Sequence, residues 1–275
     1  MKWLAGLLLT LCAANASAQA FDQQHAAWTA LLRKHVVLIS DGKASQLDYA
    51  GMMQDRAALK AYLQTLSGVP EAEFKGWSKP QRMAFLINAY NAFTVEKILT
   101  RYPDIASIWD FGKIFGNPFK DEFFTLFGRP FTLDAIEHET LRKPGVYNEP
   151  RVHFAVNCAS IGCPMLREEA YVAARLDAQL EQQTVRFLSD RSRNRYDAAG
   201  QRLEVSKIFD WFKEDWQSGY RGFDGKAPPI TSRAAYFARY AKLLADAPEA
   251  RARIAEGKLP IDFLEYDWSL NGVKR

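Results

Sequence analysis

The sequence predicts an α+β fold, predominantly helical, with a small antiparallel sheet. Three observations point there: apolar residues recur at helical spacing along much of the chain, alternating stretches are short, and the strongest apolar run follows a serine suited to capping a helix. Phe21, Trp28, Leu31, Leu32 and Val36 predict a first amphipathic helix over residues 21–38. Leu47, Asp48 and Tyr49 lie in a polar loop or short strand, and residues 55–66 predict a second helix ended by Gly68 and Pro70. In the third helix Ser78 is the N-cap, Pro80 occupies the first turn, and the pattern runs to about Arg101, before Pro103. Its middle, residues 83–93, is apolar on almost every face, which requires burial on all sides. Residues 123–127, Gly128-Arg129 and residues 130–133 predict a hairpin. Thr132 or Asp134 can cap a short helix to about Arg142, and residues 151–158 alternate like a strand. Residues 168–189 predict a helix with Leu176, Leu180, Phe187 and Leu188 facing inward. A short strand at 202–205, helical turns over 208–216, an amphipathic helix over 232–245 and an irregular aromatic tail at 261–270 complete the reading.

Lys2, the apolar stretch 4–12 and Ala16-Ser17-Ala18 read as a secretory signal peptide over residues 1–18. A lipoprotein signal on Cys12 is the rival reading, but Leu11 stands where a small residue is wanted. The expectation is one globular domain over residues 19–275, in the periplasm or secreted. A composition 48% hydrophobic and 13% aromatic can supply a substantial core. Lys plus Arg is 36 against 32 for Asp plus Glu, and one of the 36 is Lys2 in the leader. That balance gives no electrostatic case for nucleic acid or an anionic membrane. No transmembrane segment and no cofactor are expected. The partner is open, with a small molecule or peptide as the class to consider.

Without the leader, two cysteines remain, Cys158 and Cys163, in Arg151-Val-His-Phe-Ala-Val-Asn-Cys-Ala-Ser-Ile-Gly-Cys-Pro. On a strand Arg151, His153, Ala155 and Asn157 share one face. Cys163-Pro164 stands where a helical turn could begin, and a helix N-terminus favours a thiolate. Three readings of the pair stay open. A Cys158–Cys163 disulfide would add about 2 kcal/mol in the chain-entropy model. A nucleophilic Cys158 needs a histidine base. A redox pair would have unusual spacing. His25 and His35 lie in the first helix, remote in sequence. His153 on an extended strand stands roughly 16 Å from Cys158. His138, on the preceding helix, is therefore the first-choice base, and His153 the reserve. Glu137 lies at the edge of the stripe Leu133, Ile136, Leu141, so burial demands a partner, for which Arg142 and Arg151 are candidates. It could form a salt bridge or orient a histidine. Asn88 and Asn91, buried in the third helix, either fasten a loop or donate into the Cys158 pocket. A zinc site from His138, His153, Cys158 and Cys163 is conceivable, but its spacing matches no common pattern, and no metal is expected.

The segments Asn88-Ala-Tyr-Asn91-Ala-Phe, Asp134-Ala-Ile-Glu-His138 with Leu141-Arg142, and residues 151–164 resemble the family catalogued as domain of unknown function 547, as do residues 188–190, 206–211 and 266–271. The resemblance runs from about residue 77 to 271 and looks like that of a bacterial exported member. It implies one intact domain whose hallmark positions are Asn88, Asn91, Glu137, His138, Arg142, Arg151, His153, Cys158 and Cys163. It implies no reaction. Plant relatives with an added leucine-zipper segment weigh against a purely disulfide role for the cysteines.

The leading expectation is a thiol-dependent hydrolase or acyl-transfer enzyme, with Cys158 as nucleophile, His138 or His153 as base and Glu137 orienting. Asn88, Asn91, Arg142, Arg151 and Asn157 would serve substrate binding, the arginines through a substrate carboxylate. The alternative is a non-enzymatic ligand-binding or interaction module stapled by Cys158–Cys163.

Overall fold

The first helix stops where β-branched residues take over. α1 spans Ala26–His35, and the chain leaves it as strand β1, Val36–Ile39, instead of staying helical to residue 38. Val36, Val37 and Ile39 favour extended backbone, and β1 pairs antiparallel with β2, Ala44–Leu47. The computed structural model describes residues 20–112 and 116–274. The signal-peptide reading at 1–18 lies outside them.

Asp48 caps α2, Tyr49–Gln54, by accepting from the Gly51 amide. α3, Arg56–Ser67, ends at Gly68 as expected, and a short α4, Glu71–Gly76, follows. α5, Lys79–Leu99, opens with a capping box: Ser78 and Gln81 each satisfy the other's backbone amide. Residues 83–95 of α5 are all buried, so the helix runs through the core. Its two asparagines therefore need partners inside the protein. Asn88 grips the backbone of Tyr171 in both directions, donating to its carbonyl at 2.7 Å and accepting from its amide at 3.0 Å. Asn91 donates to the Ala155 carbonyl at 2.9 Å and accepts from the Asn157 amide at 2.8 Å.

β3, Phe124–Leu126, and β4, Arg129–Phe131, form the expected hairpin, turning at Phe127-Gly128. The expected short helix is a π-helical turn, Ala135–Leu141. Residues 151–158 do not form a strand. Pro150–Phe154 is a 3-10 helix, with Pro150 in its first turn and Glu149 accepting from the Arg151 amide. Its backbone is satisfied locally, Val152 donating to Glu149 and Ala155 to Val152. The alternation that suggested a strand has another cause: the segment lies between two apolar clusters. Val152, Ala155 and Val156 belong to the cluster around α5, and Phe154 to a second cluster with Phe209, Trp216 and Phe237.

α6, Leu176–Ser189, begins later than residue 168, after a 3-10 turn at Ala173–Arg175. Glu168 and Glu169 are drawn into ion pairs with Arg186 and with Arg167 and Arg175. Leu176, Leu180, Phe187 and Leu188 are buried, as their spacing predicts. β5, Arg195–Asp197, pairs antiparallel with β6, Arg202–Val205. α7, Ile208–Trp211, is followed by α8, Arg233–Arg239, and α9, Ala241–Leu244, which divide the predicted helix at Tyr240. α10, Pro248–Ala255, precedes β7, Ile261–Phe263, which adds to β6 in parallel. The tail is thus less irregular than its composition suggests. Among the described residues no helix is long and apolar enough to cross a membrane.

Two measurements follow. His25 is buried and its pKa is lowered from 6.5 to about 4, mainly by desolvation, with Asp22 opposing. A depressed pKa means the folded state binds fewer protons than the unfolded one. Its contribution is complete above pH 6.5 and is lost as pH falls towards 4, by about 3 kcal/mol. His25→Asn, which tolerates the left-handed backbone there, should flatten this part of the urea-unfolding pH profile. Asn91→Ala should cost about 2–4 kcal/mol in the same assay, because it strands a buried amide and a buried carbonyl.

Candidate active site

The π-helical turn supplies two side chains to one cleft. Thr132 Oγ1 accepts from the Ala135 amide at 2.9 Å and starts the turn. The Arg142 amide then reaches back five residues to the Glu137 carbonyl at 2.9 Å, the wider repeat of a π-turn. Leu133, Ile136 and Leu141 anchor the turn in the core. Glu137 is buried beside them and lines the cleft together with Tyr90. Neither Arg142 nor Arg151 pairs with it, contrary to expectation. Instead the His153 ring lies beside it, with Nδ1 3.9 Å from Oε1.

The 3-10 helix brings His153 in from the other side. Its ring stacks on Phe212 at 4.2 Å between centroids and 14° between planes. Nε2 lies 2.7 Å from Asp215 Oδ2. A carboxylate only accepts, so Nε2 carries the hydrogen, and in the neutral ring Nδ1 holds the lone pair. Burial pushes the His153 pKa down, while Asp215 and Glu137 oppose. Burial also pushes Asp215 up, but hydrogen bonds from His153 and Arg142 outweigh it and hold the carboxyl at about 2. Asp215 and His153 are thus an orienting carboxylate and an imidazole, a pairing that nothing in the sequence advertised.

His138 is set the other way round. Arg142 donates to its Nδ1 while the same guanidinium binds Asp215 at 2.6 Å and lies over the Phe212 ring. Arginine has no acceptor, so Nδ1 accepts and the hydrogen of neutral His138 sits on Nε2. Nε2 lies 3.8 Å from Asp134 Oδ1. In this arrangement His138 offers the cleft a hydrogen-bond donor.

The sulfurs sit in a loop fixed from beneath. Asn157 Nδ2 donates to the Pro164 carbonyl at 2.8 Å, and Oδ1 accepts from Ala159 N at 3.0 Å and from Asn271 Nδ2 at 3.2 Å. Ala159 takes φ 63°, a left-handed backbone that alanine rarely adopts, at the bend immediately after Cys158. At Gly162 a Cβ would come within 3.0 Å of the Asp267 backbone and of the Tyr266 ring, so only glycine lets the C-terminal tail lie this close. That proximity delivers Tyr266. Cys158 Sγ lies 3.1 Å from Ser160 Oγ and 3.3 Å from Tyr266 Oη, and these hydroxyls are 3.1 Å apart. The Cys163 sulfur is 2.7 Å away, with no disulfide bond joining the two in this structure. No helix begins at Cys163-Pro164, so no helix dipole acts on the thiol. Burial pushes the Cys158 pKa up, but hydrogen bonds from Cys163, Ser160 and Tyr266 together bring it below the usual thiol value. Burial and the neighbouring sulfur hold Cys163 well above it. Burial likewise keeps the Tyr266 phenol protonated and donating.

Cys158, Cys163, Glu137, His138 and His153 all line one cleft of about 380 Å³, with Asp134 and Tyr90. Its walls are aromatic: Trp109, Phe119, Trp211, Phe212 and Trp268. The 3-10 turn is what lets His153 and Cys158 share a cavity, which an extended strand would have prevented. Among the described residues no imidazole hydrogen-bonds to Cys158. The five expected substrate-binding residues lie elsewhere in role. Asn88, Asn91 and Asn157 are backbone clamps. Arg142 holds Asp215 and His138 from behind. Arg151 is buried against Glu149, Asp177 and Glu181. No three His, Cys, Asp or Glu side chains among the described residues are grouped to hold a metal ion, so the zinc arrangement finds no support in this geometry.

Residues 74–188 match the family DUF547, a protein of unknown function. No curated protein and no solved structure matches the chain. The DUF547 match takes in α5, the π-turn and both cysteines. It ends before Asp215, the indoles of Trp211 and Trp268, and Tyr266, which complete the cleft.

Iodoacetamide should alkylate Cys158 at neutral pH faster than an ordinary buried thiol. Tyr266→Phe removes a donor to the thiolate and should slow that reaction about tenfold at pH 7, with a higher pH midpoint. Gly162→Ala, which pushes the tail away, should move the midpoint in the same direction.

Proposed function

We propose that the cleft is the active site of a thiol-dependent enzyme of the hydrolase or acyl-transfer class, with Cys158 as nucleophile. One observation carries this reading: a sulfur whose thiolate is favoured by its donors opens on the same cavity as an imidazole oriented by a half-buried carboxylate. The Cys158 proton passes to His153 Nδ1, forming an imidazolium that Asp215 stabilises through Nε2 and Glu137 through its nearby charge. The thiolate attacks the acyl carbon, and the carbonyl electron pair moves onto oxygen. His138 Nε2–H is the candidate donor to that oxyanion. As the carbon–leaving-group bond breaks, the imidazolium returns its proton to the leaving group. The resulting thioester is attacked by water or an amine, whose proton goes to His153; as the carbon–sulfur bond breaks, the imidazolium passes that proton to Cys158 Sγ, restoring the thiol. His153 therefore takes the base role, and Glu137 supports it from the side.

The test is turnover of a p-nitrophenyl ester series. The expected course is a burst of nitrophenol with acyl mass on Cys158, then steady release. Cys158→Ala should remove burst and turnover, and His153→Gln should slow release by roughly 10²-fold in a protein whose circular dichroism is unchanged. Equal turnover by Cys158→Ala would end this reading.

The 2.7 Å between the sulfurs favours a second reading, a non-enzymatic module with a Cys158–Cys163 disulfide. Mass spectrometry of unreduced protein separates the two. A complete, slowly reduced disulfide supports the module, and two free thiols with one alkylated quickly support the enzyme.

A further inference from the structure

We infer that the cleft binds an organic ammonium group, of the kind a lysine side chain carries, against its tryptophan wall. The inference deepens the proposed reading by naming the class of molecule presented to Cys158. Three indoles form the wall. Trp268 stands edge-on to Trp109 at 5.4 Å and nearly parallel to Trp211 at 5.7 Å. Trp109 and Trp211 are 38% and 41% exposed, although large apolar side chains are mostly buried in this chain. An indole face carries negative electrostatic potential and is the best aromatic surface for a cation.

The protein fills such positions elsewhere. Lys97 lies over Phe111 and Phe123, Arg142 over Phe212 and Lys207 over Phe263. Among the described residues no lysine or arginine lies over Trp109, Trp211 or Trp268. The charged side chains lining the cleft point to the same ligand. They are the carboxylates Asp134 and Glu137, and no lysine or arginine lines it among the described residues. The Arg142 guanidinium is turned onto Asp215 and His138. A ligand carboxylate would meet like charge here, so the expected recognition of an anionic substrate by arginine does not fit this cleft. A primary ammonium fits better than a quaternary one, because its N–H groups can also donate to Asp134.

The test uses the full folded protein and three N-acetyl amino acid amides of similar length: lysine, norleucine and glutamate. Binding is read by tryptophan fluorescence and by saturation-transfer NMR. The lysine amide should bind about tenfold more tightly than the norleucine amide, and the glutamate amide should not bind measurably. Asp134→Asn and Trp211→Ala should each erase most of that preference, whereas Trp211→Phe should retain part of it. Norleucine binding as well as lysine, or a preference unchanged in Trp211→Ala and Asp134→Asn, would overturn the inference. Lysine preference in a protein with no esterase burst would leave this site standing and remove the catalytic reading. A burst without lysine preference would do the reverse.

Discussion

Two carboxamides buried in the middle of α5 constrain everything built around the thiol. An amide in hydrocarbon costs several kcal/mol unless its donor and acceptor are both engaged. Asn88 and Asn91 meet that demand by gripping backbone, Tyr171 in one case and the 155–157 stretch in the other. The second grip matters more for chemistry, because it fixes the chain one residue before Cys158 to a fully packed helix. Asn157 then extends the same logic, holding Pro164, Ala159 and Asn271. The cysteine loop has little regular secondary structure of its own. Its rigidity is borrowed, amide by amide, from α5.

Activation of the sulfur follows from that placement. Many activated thiols rely on a formal positive charge or a helix N-terminus. Here the stabilising groups are neutral: two hydroxyls and a second thiol converge on Cys158. Neutral donors favour the thiolate without bringing a positive charge into the cleft, where the carboxylates Asp134 and Glu137 also line the wall. The imidazoles are arranged by groups behind them. Asp215 joins His153 to Arg142, and Arg142 joins Asp215 to His138, so a single ion pair sets the hydrogen positions of both rings.

The sequence disclosed the helical architecture well because its signals are local. The Ser78 box, the apolar run of α5, the Gly68 stop and the inward residues of α6 are all written in neighbouring positions. The failures are tertiary. Residues 151–158 looked like a strand because successive side chains serve two apolar clusters, and only three-dimensional packing shows that both sides are inside. The segment 36–39 left the helix to pair with β2, a choice that depends on a strand eight residues further on. At the site, Cys158, Cys163, Glu137, His138 and His153 were legible as rare polar residues in apolar surroundings. Asp215 and Tyr266 were not, since one is 62 and the other 108 residues from the group each serves. The aspartate and the tyrosine gained meaning only when the chain closed on itself. Of the five residues first assigned to a ligand, Asn88, Asn91, Arg151 and Asn157 are buried polar groups too, and burial alone does not separate a clamp from a contact.

The C-terminal tail has a further significance. It runs past the cysteine loop, with Ile161 and Gly162 donating to Ser269 and Asp267 and Asn271 donating to Ala159, and it delivers the phenol that acidifies the thiol. During synthesis both sulfurs leave the ribosome about a hundred residues before that phenol does. Cys163 and Ser160 already lie beside Cys158 in the local chain, so Tyr266 is the one donor to this sulfur that long-range closure has to deliver. The sulfur's environment is thus assembled in two stages, a local one set by the loop and a remote one set by the docking of the tail.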